Sequence, residues 1–476
     1  MIHKQGDIGV IGLAVMGQNL ALNINNNGFN VIVFNRTLST IKNFINSIPK
    51  KTNITAVYSI EDLVGKLKSP RKIILMVKSG GDIVDTLIKK LTPLLVQGDI
   101  IIDGGNTNFI DTERRVNELK NQGIYYIGAG ISGGKEGARL GPSIMPGGMI
   151  EGWKYIKPIF QKISAKTTEN TPCCEWIGQG GSGHFVKMVH NGMEYSDMQL
   201  ICEVYQFMKD LLGMDNKTLS HIFETWNKSS LQSYLIEITA KILQFKDDEG
   251  YVIDRIADIA NQKGTGKWTG INALNLDVPL NLVTESVFSR FISRQKEMRL
   301  EGNNLYNRKK ITKIKVTESL LHELQQGYLF AKIISYAQGY MLMQQASQKY
   351  NWSLNYSSIT SIWREGCIIK SVLLDNIKTA FDSNPCLKNL LFDPYFKNII
   401  DETLPATCRI IIKCIKNGMA TPNLSAALNF FNSITTKKLP ANLLQAQRDY
   451  FGSHTYERTD QPEGVFFHTN WKNNEQ

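Results

Sequence analysis

Residues 7–17, reading DIGVIGLAVMG, constrain the fold more than any other stretch of the chain. A short apolar strand runs directly into Gly12, Ala14 and Gly17, and Gln18–Asn27 continues as a helix that stops at Gly28. Strand, tight glycine turn and helix in that order make a dinucleotide-binding turn, because the backbone can approach a pyrophosphate and the helix N-terminus offers it N–H donors. Alanine in the middle slot adds only a methyl. A lone GxAxxG is a weak signal, but the strand Asn30–Phe34 follows at the right distance and ends in Asn35-Arg36-Thr37. An NAD site usually places a carboxylate at that tip to hold the ribose hydroxyls. Here a guanidinium and a hydroxyl stand there, which suits the 2′-phosphate of NADP.

The alternation of strand and helix continues. A helix capped by Ser59, with Asp62 three residues on, leads to the strand Lys72–Val77 and the loop VKSGG. The helix Ile83–Leu91 leads to the strand Asp99–Ile102, which runs into Asp103-Gly104-Gly105-Asn106; a helix over Thr112–Gln122 and a strand over Ile124–Ile127 follow. This pattern predicts a parallel sheet whose ligands bind beyond the carboxyl ends of the strands, so Lys78 and Asn106 are expected where coenzyme and substrate meet. Residues 128–148, GAGISGGKEGARLGPSIMPGG, read as one glycine-rich loop. Within it Ser132-Gly133-Gly134 have the composition of an anion-binding concavity, or of a flexible lid without direct contact. Trp153–Ile163 reads as a helix, Cys174–Ile177 as a last strand and Gly178–Gly183 as a hinge.

Beyond that point the period changes to that of amphipathic helices: the stretch opening at Gly183, then Asp215–Asn227, Ser230–Gln244, Asp254–Asn261, Val283–Arg299, Glu318–Tyr350 and Ala406–Gly418. In the first of these, Lys187, His190, Asn191, Glu194 and Tyr195 fall on one face, and Phe185, Val189, Met193 and Ser196 on the other. An amine, an imidazole, an amide, a carboxylate and a phenol within two turns suffice to remove one proton and donate another; a solvated polar face is the alternative. The loop NQKGTGKWT carries Lys263 and Lys267, Arg290 and Arg294 lie one turn apart, and the tail holding Arg448 and His454 reads as an arm.

At 476 residues, 42% hydrophobic and 20% charged, the chain is long enough for two or three domains with sizeable cores. It lacks both an apolar run of about eighteen residues and a signal-peptide pattern, which predicts a cytoplasmic protein with no membrane partner. Of seven cysteines only Cys173 and Cys174 are adjacent, so neither a disulfide framework nor metal-ligand spacing is present. The net charge of +11 fits nucleic acid, a membrane surface or an anionic small molecule. The basic residues are scattered, with no tract of five or more, which argues against nucleic acid.

GLAVMGQNLALN, FNRT, DGGN, ISGGKEGARLGPSIMPGG, GHFVKMVHNGMEY, NQKGTGKWT and QRDYFGSHTYE occur together, and over essentially its whole length the chain resembles the decarboxylating 6-phosphogluconate dehydrogenases. The resemblance implies an α/β Rossmann-type NADP-binding domain over residues 1–178, a large all-helical substrate and dimerisation domain over 179–436, and a C-terminal tail over 437–476 that reaches the partner subunit of a homodimer. It implies coenzyme contacts from Gly12, Leu13, Ala14, Val15, Met16, Gly17, Asn35, Arg36, Thr37, Val77, Lys78, Ser79 and Asn106. Lys187 matches the general base and Glu194 the general acid. Asn106, Ser132, Gly133, Gly134, His190, Asn191, Tyr195, Lys263 and Arg290 match substrate ligands, and Arg448 and His454 match those lent by the neighbouring subunit. The implied reaction is oxidation of 6-phosphogluconate at C3, decarboxylation without a metal and release of ribulose 5-phosphate.

Three residues depart from the family's pattern: Ser79, Thr107 and Lys135 stand where alanine, serine and glutamate are expected, and Lys135 reverses a charge beside the glycine-rich stretch. The base role carries a condition. A free lysine titrates near 10.4, so burial or neighbouring cations must lower Lys187 by roughly 2 to 3. A related β-hydroxyacid dehydrogenase acting on an acid without phosphate would have no use for Glu194, Arg448 and His454, and a non-catalytic NADPH-binding regulator would have lost the acid or the base.

Overall fold

Along each strand of the N-terminal sheet successive apolar residues face opposite sides, so two separate cores form, one on each face. Val10, Ile74 and Ile102 enter one; Ile11, Leu75 and Ile101 enter the other. The computed structural model describes residues 5–78, 82–307 and 311–471. Its main sheet contains β1 (Ile8–Ile11), β2 (Val31–Phe34), β3 (Ile54–Ala56), β4 (Lys72–Leu75), β5 (Ile100–Asp103), β6 (Tyr125–Ile131), β7 (Ile144–Gly148) and β8 (Gly178–Gln179), in the spatial order β3-β2-β1-β4-β5-β6-β7-β8. Strands β1 to β6 pair in parallel, and β7 runs antiparallel to β6. The strand order reverses between β1 and β4, which opens a crevice at their carboxyl ends.

The helices of this part are α1 (Val15–Asn26), α2 (Leu38–Ser47), α3 (Ile60–Gly65), α4 (Ile83–Leu91), α5 (Phe109–Lys120), α6 (Gly134–Leu140) and α7 (Ile150–Ile163). Residues of α1, α2 and α7 fill the first core, and those of α3, α4 and α5 the second. The Ser59 hydroxyl caps α3 by accepting from the Asp62 amide, as its sequence predicts.

Residues 128–148 are not one loop. β6 continues to Ile131, α6 follows, and β7 returns beside β6 with Gly128 opposite Gly147. The expected strand at Cys174–Ile177 reduces to a single bridge between Cys174 and Ile144. The expected hinge is a packed turn: a Cβ at Gly181 would lie 2.4 Å from the Phe109 carbonyl oxygen, and one at Gly183 would lie 2.5 Å from those of Gly128 and Met145.

From there the chain is almost entirely helical: α8 (Ser182–Gln206), α9 (Asn216–Trp226), α10 (Tyr234–Gln244), a short hairpin of β9 (Lys246–Asp247) and β10 (Gly250–Tyr251), α11 (Thr265–Asn275), α12 (Asn281–Ser293), α13 (Lys296–Leu305), α14 (Glu318–Tyr350), α15 (Tyr356–Trp363), α16 (Leu373–Ser383), α17 (Pro394–Lys416) and α18 (Pro422–Ile434). Two expectations fail locally. Only Val252–Arg255 forms a helical turn in the Asp254–Asn261 stretch, because Asp258 is held by Lys296 and Arg299 and the Ala260 amide donates to Ser293 Oγ. The stretch Val283–Arg299 breaks after Ser293, whose carbonyl accepts from the Arg299 guanidinium. Helix α14 is buried around most of its circumference and is tied to α8 by the ion pair Lys332–Asp197, 2.8 Å long. Among the described residues no helix is long and apolar enough to cross a membrane.

The chain divides near residue 427 into two compact units. The second contains α19 (Ala441–Gly452) and a hairpin of β11 (Tyr456–Glu457) and β12 (Phe466–Phe467).

Candidate active site

The dinucleotide turn is built from backbone. Gly12 adopts φ +103°, where L side chains are rare, and a Cβ at Gly17 would lie 1.9 Å from the Gly12 carbonyl oxygen. Leu13 is buried and its amide donates to Asn35 Oδ1 at 3.0 Å, locking the turn to the tip of β2. Gly12, Ala14, Asn35, Arg36, Thr37, Val77 and Lys78 all line one cavity of about 540 Å³, with Ile60, Ile83, Thr86, Leu87 and Lys90 across it. Apolar walls with a glycine turn at one side and Arg36, Lys78 and Lys90 around them fit a dinucleotide carrying an extra phosphate. Val15 is exposed on α1. Ser79 lies outside the described residues.

A second cavity, about 490 Å³, opens beside Met16 of the same turn. Into it the structure brings Asn106, Ser132, Gly133, Gly134, Lys187, Asn191, Glu194, Tyr195, Lys263 and Arg290, drawn from five separate segments. Asn106 thus faces this cavity rather than the first. Lys135 is exposed on α6 and lines a different cavity with Glu136 and Arg139.

Helix α8 carries the centre. It presses on β6 without an intervening side chain, because β6 has Gly130 where Lys187 crosses it: a Cβ there would sit 2.3 Å from Lys187 Cβ. Lys187 is buried, and burial lowers its pKa to about 8, against the opposing pull of Glu194 and of Cys367. Burial likewise raises Glu194, with Lys187 and Arg290 opposing. His190 is fully enclosed behind them, and burial, then the Lys187 charge, hold it neutral. Its Nε2 lies 3.3 Å from Ser132 Oγ, and its Nδ1 3.1 Å from Asn191 Oδ1 and 3.4 Å from Lys187 Nζ. The imidazole is therefore a strut between Lys187 and Ser132. The Arg290 guanidinium lies 3.5 Å over the Tyr195 ring, which fixes a cation at the rim without neutralising it.

Sequence reasoning missed the support beneath Asn106. The buried Asp103 carboxylate accepts from the Gly105 amide at 3.0 Å, Thr107 Oγ1 at 2.7 Å and Tyr126 Oη at 3.0 Å, and Arg115 bridges it to Asp85. Asp103 stood in plain view in the DGGN motif, but its partners are dispersed along the chain. Arg448 and His454 belong to the second unit, where both are exposed.

A crevice shaped for a phosphorylated dinucleotide, beside a cavity holding a buried amine of lowered pKa, is what a nicotinamide-dependent dehydrogenase requires, and the chain is of that class. Residues 7–178 match the NAD binding domain of 6-phosphogluconate dehydrogenase, and residues 183–471 match the 6-phosphogluconate dehydrogenase C-terminal domain. The chain belongs to the 6-phosphogluconate dehydrogenase family. It is 54% identical to the decarboxylating 6-phosphogluconate dehydrogenase of Haemophilus influenzae, over 98% of this chain and 96% of that protein, and 51% identical to that of Mus musculus, over 98% and 97%. The solved structure of Plasmodium falciparum 6-phosphogluconate dehydrogenase, described in apo form and with NADP+ or 6-phosphogluconate, matches with a TM-score of 0.94 at 44% identity, covering 98% of this chain and 100% of that one.

Proposed function

We infer that the protein catalyses the NADP-dependent oxidative decarboxylation of 6-phospho-D-gluconate to D-ribulose 5-phosphate and carbon dioxide. The observation that carries the mechanism is the burial of Lys187, with its pKa near 8, on the wall of the cavity that adjoins the dinucleotide turn. Bound NADP supplies the hydride acceptor, held by the turn at Gly12–Gly17, by Asn35, Arg36 and Thr37, and by Val77 and Lys78. Lys187, in the fraction whose amine is neutral, takes the proton of the C3 hydroxyl as the substrate is oxidised. The resulting 3-keto acid loses carbon dioxide when its carbonyl oxygen is protonated, and Lys187 then carries the proton to give. Glu194, whose acid form is favoured by burial, delivers a proton to C1 of the enediol. Ser132, Gly133, Gly134, Asn106, Asn191, Tyr195, Lys263 and Arg290 orient the substrate, and His190 holds Lys187 and Ser132 in register.

Labour divides along the chain as residues 1–178 for coenzyme, 179–436 for substrate and dimerisation, and 437–476 for an arm that lends Arg448 and His454 to a partner subunit. Exposed Leu274, Phe288 and Ile292 on α11 and α12 offer an apolar face for that homodimer. The enzyme acts in the cytoplasm. Purified protein with 6-phosphogluconate and NADP should raise absorbance at the NADPH band with one carbon dioxide released per NADPH, and only weakly with NAD. Absence of turnover, or NADPH without carbon dioxide, would overturn the assignment.

A further inference from the structure

The unit that carries Arg448 and His454 is too small to be organised by an apolar core, yet its backbone holds an uncommon conformation. Ser453 and Thr455, on either side of His454, both lie in the left-handed region, with φ 49° and 54°. Non-glycine residues remain there only where their surroundings over-determine the backbone. The determinant is Asp449, whose side chain is fully covered although Arg448 before it and Tyr450 after it are exposed. Its carbonyl accepts from the Ser453 amide at 2.9 Å. Its carboxylate accepts from the Thr455 amide at 3.0 Å, His468 Nδ1 at 2.9 Å, the Thr469 amide at 3.1 Å and Trp471 Nε1 at 2.8 Å. Gln445 completes the knot, donating to the Thr455 carbonyl at 2.6 Å and accepting from Arg448 Nη1 at 3.0 Å.

We propose that Asp449 is a positioning residue: its buried carboxylate fixes the bend between Arg448 and His454, so that the arm offers both groups to 6-phosphogluconate as one preformed unit. The inference rests on the reading that Arg448 and His454 serve the substrate site. A preordered arm loses little conformational freedom on binding, so the advantage falls on substrate affinity rather than on the chemistry at Lys187. Asparagine would fill the same space but would set its amide against donors that now face oxygen.

Asp449→Asn is expected to raise the KM for 6-phosphogluconate roughly tenfold or more, while the KM for NADP and the dimer mass hold. Mixed with Lys187→Ala chains, which keep an intact arm, it should regain a site with the parent KM in hybrid dimers. A general folding defect would not be repaired in that way. Trp471→Phe, which removes one donor and keeps the ring, should move the same KM in the same direction by less, and serves if Asp449→Asn does not fold. Arg448→Ala separates the positioning role of Asp449 from the substrate role of the arm. If Arg448→Ala raises the KM and neither Asp449→Asn nor Trp471→Phe does, or if hybrids fail to restore it, the positioning role is wrong. If Arg448→Ala itself leaves the KM unchanged, the reading beneath it is wrong.

Discussion

Gly130→Ala tests how Lys187, the proposed base, is placed. The new Cβ would lie 2.3 Å from Lys187 Cβ and 2.7 Å from its Cγ. Carbon atoms rest at roughly 3.5 to 4.0 Å, so the added methyl must drive β6 and α8 apart by roughly 1 Å or more. Rotation of the lysine side chain offers no escape, because its Cβ is fixed by the helix backbone. Gly183 adds to the constraint, since even a Cβ there would lie 2.5 Å from the carbonyl oxygens of Gly128 and Met145. A displacement of that size at a catalytic group is worth on the order of a hundredfold in kcat, and overpacking of this kind destabilises by roughly 1 to 3 kcal/mol. The coenzyme crevice, at the ends of β1, β2 and β4, should be untouched, so NADP affinity from a fluorescence titration should equal that of the parent. Steady-state NADPH production with a thermal melt on the same sample gives the other two quantities. Gly65→Ala is the control, because a Cβ at that position meets nothing within 4 Å. If Gly130→Ala keeps kcat within about twofold and melts with the parent, close contact between helix and strand does not set the position of Lys187.

The lowered pKa of Lys187 predicts a pH profile: the amine is neutral above about pH 8 and charged below it, so kcat/KM should fall as the medium is acidified through that value. At pH 7 about one tenth of the enzyme carries the free base, against about 4 in 10,000 for an ordinary lysine. Because Glu194 raises Lys187, the midpoint in the residual activity of Glu194→Gln should move to lower pH; a midpoint above 10 in the parent would reject the base assignment. Arg36→Asp should move the NADP to NAD ratio of kcat/KM toward NAD by roughly tenfold or more, and an unchanged ratio would remove Arg36 from the 2′-phosphate. Lys332→Met leaves the Asp197 carboxylate buried without its counterion, so urea unfolding should show a loss of roughly 3 to 5 kcal/mol, and a loss below about 1 would mean that the pair does not secure α8 to α14.

Local signals were legible in the sequence, and depth was not. The bounds of α4 and α14 follow from periodicity that lies within each segment. The dinucleotide turn, the basic tip of β2 and the shared face of α8 are likewise short-range patterns. Residues 128–148 misled because glycine there serves packing: Gly128, Gly130 and Gly147 sit inside strands, where the missing side chains admit α8. His190 shares the helical face of Lys187, but only the fold reveals that it stands behind the cavity rather than on its wall. The Asp103 cluster was invisible for a related reason, since Asp85, Arg115 and Tyr126 approach it from other elements.

Helix α8 begins against β6 and β7 and continues among α11, α12 and α14, so one rigid element belongs to both halves of the large unit. The halves are consequently not interchangeable parts. A chimera that took residues up to 178 from a relative and the remainder from this chain would bring together strands and a helix whose glycines had been matched to different neighbours. Recombination between family members should therefore succeed only where the exchanged piece carries β6, β7 and the opening turns of α8 as a set.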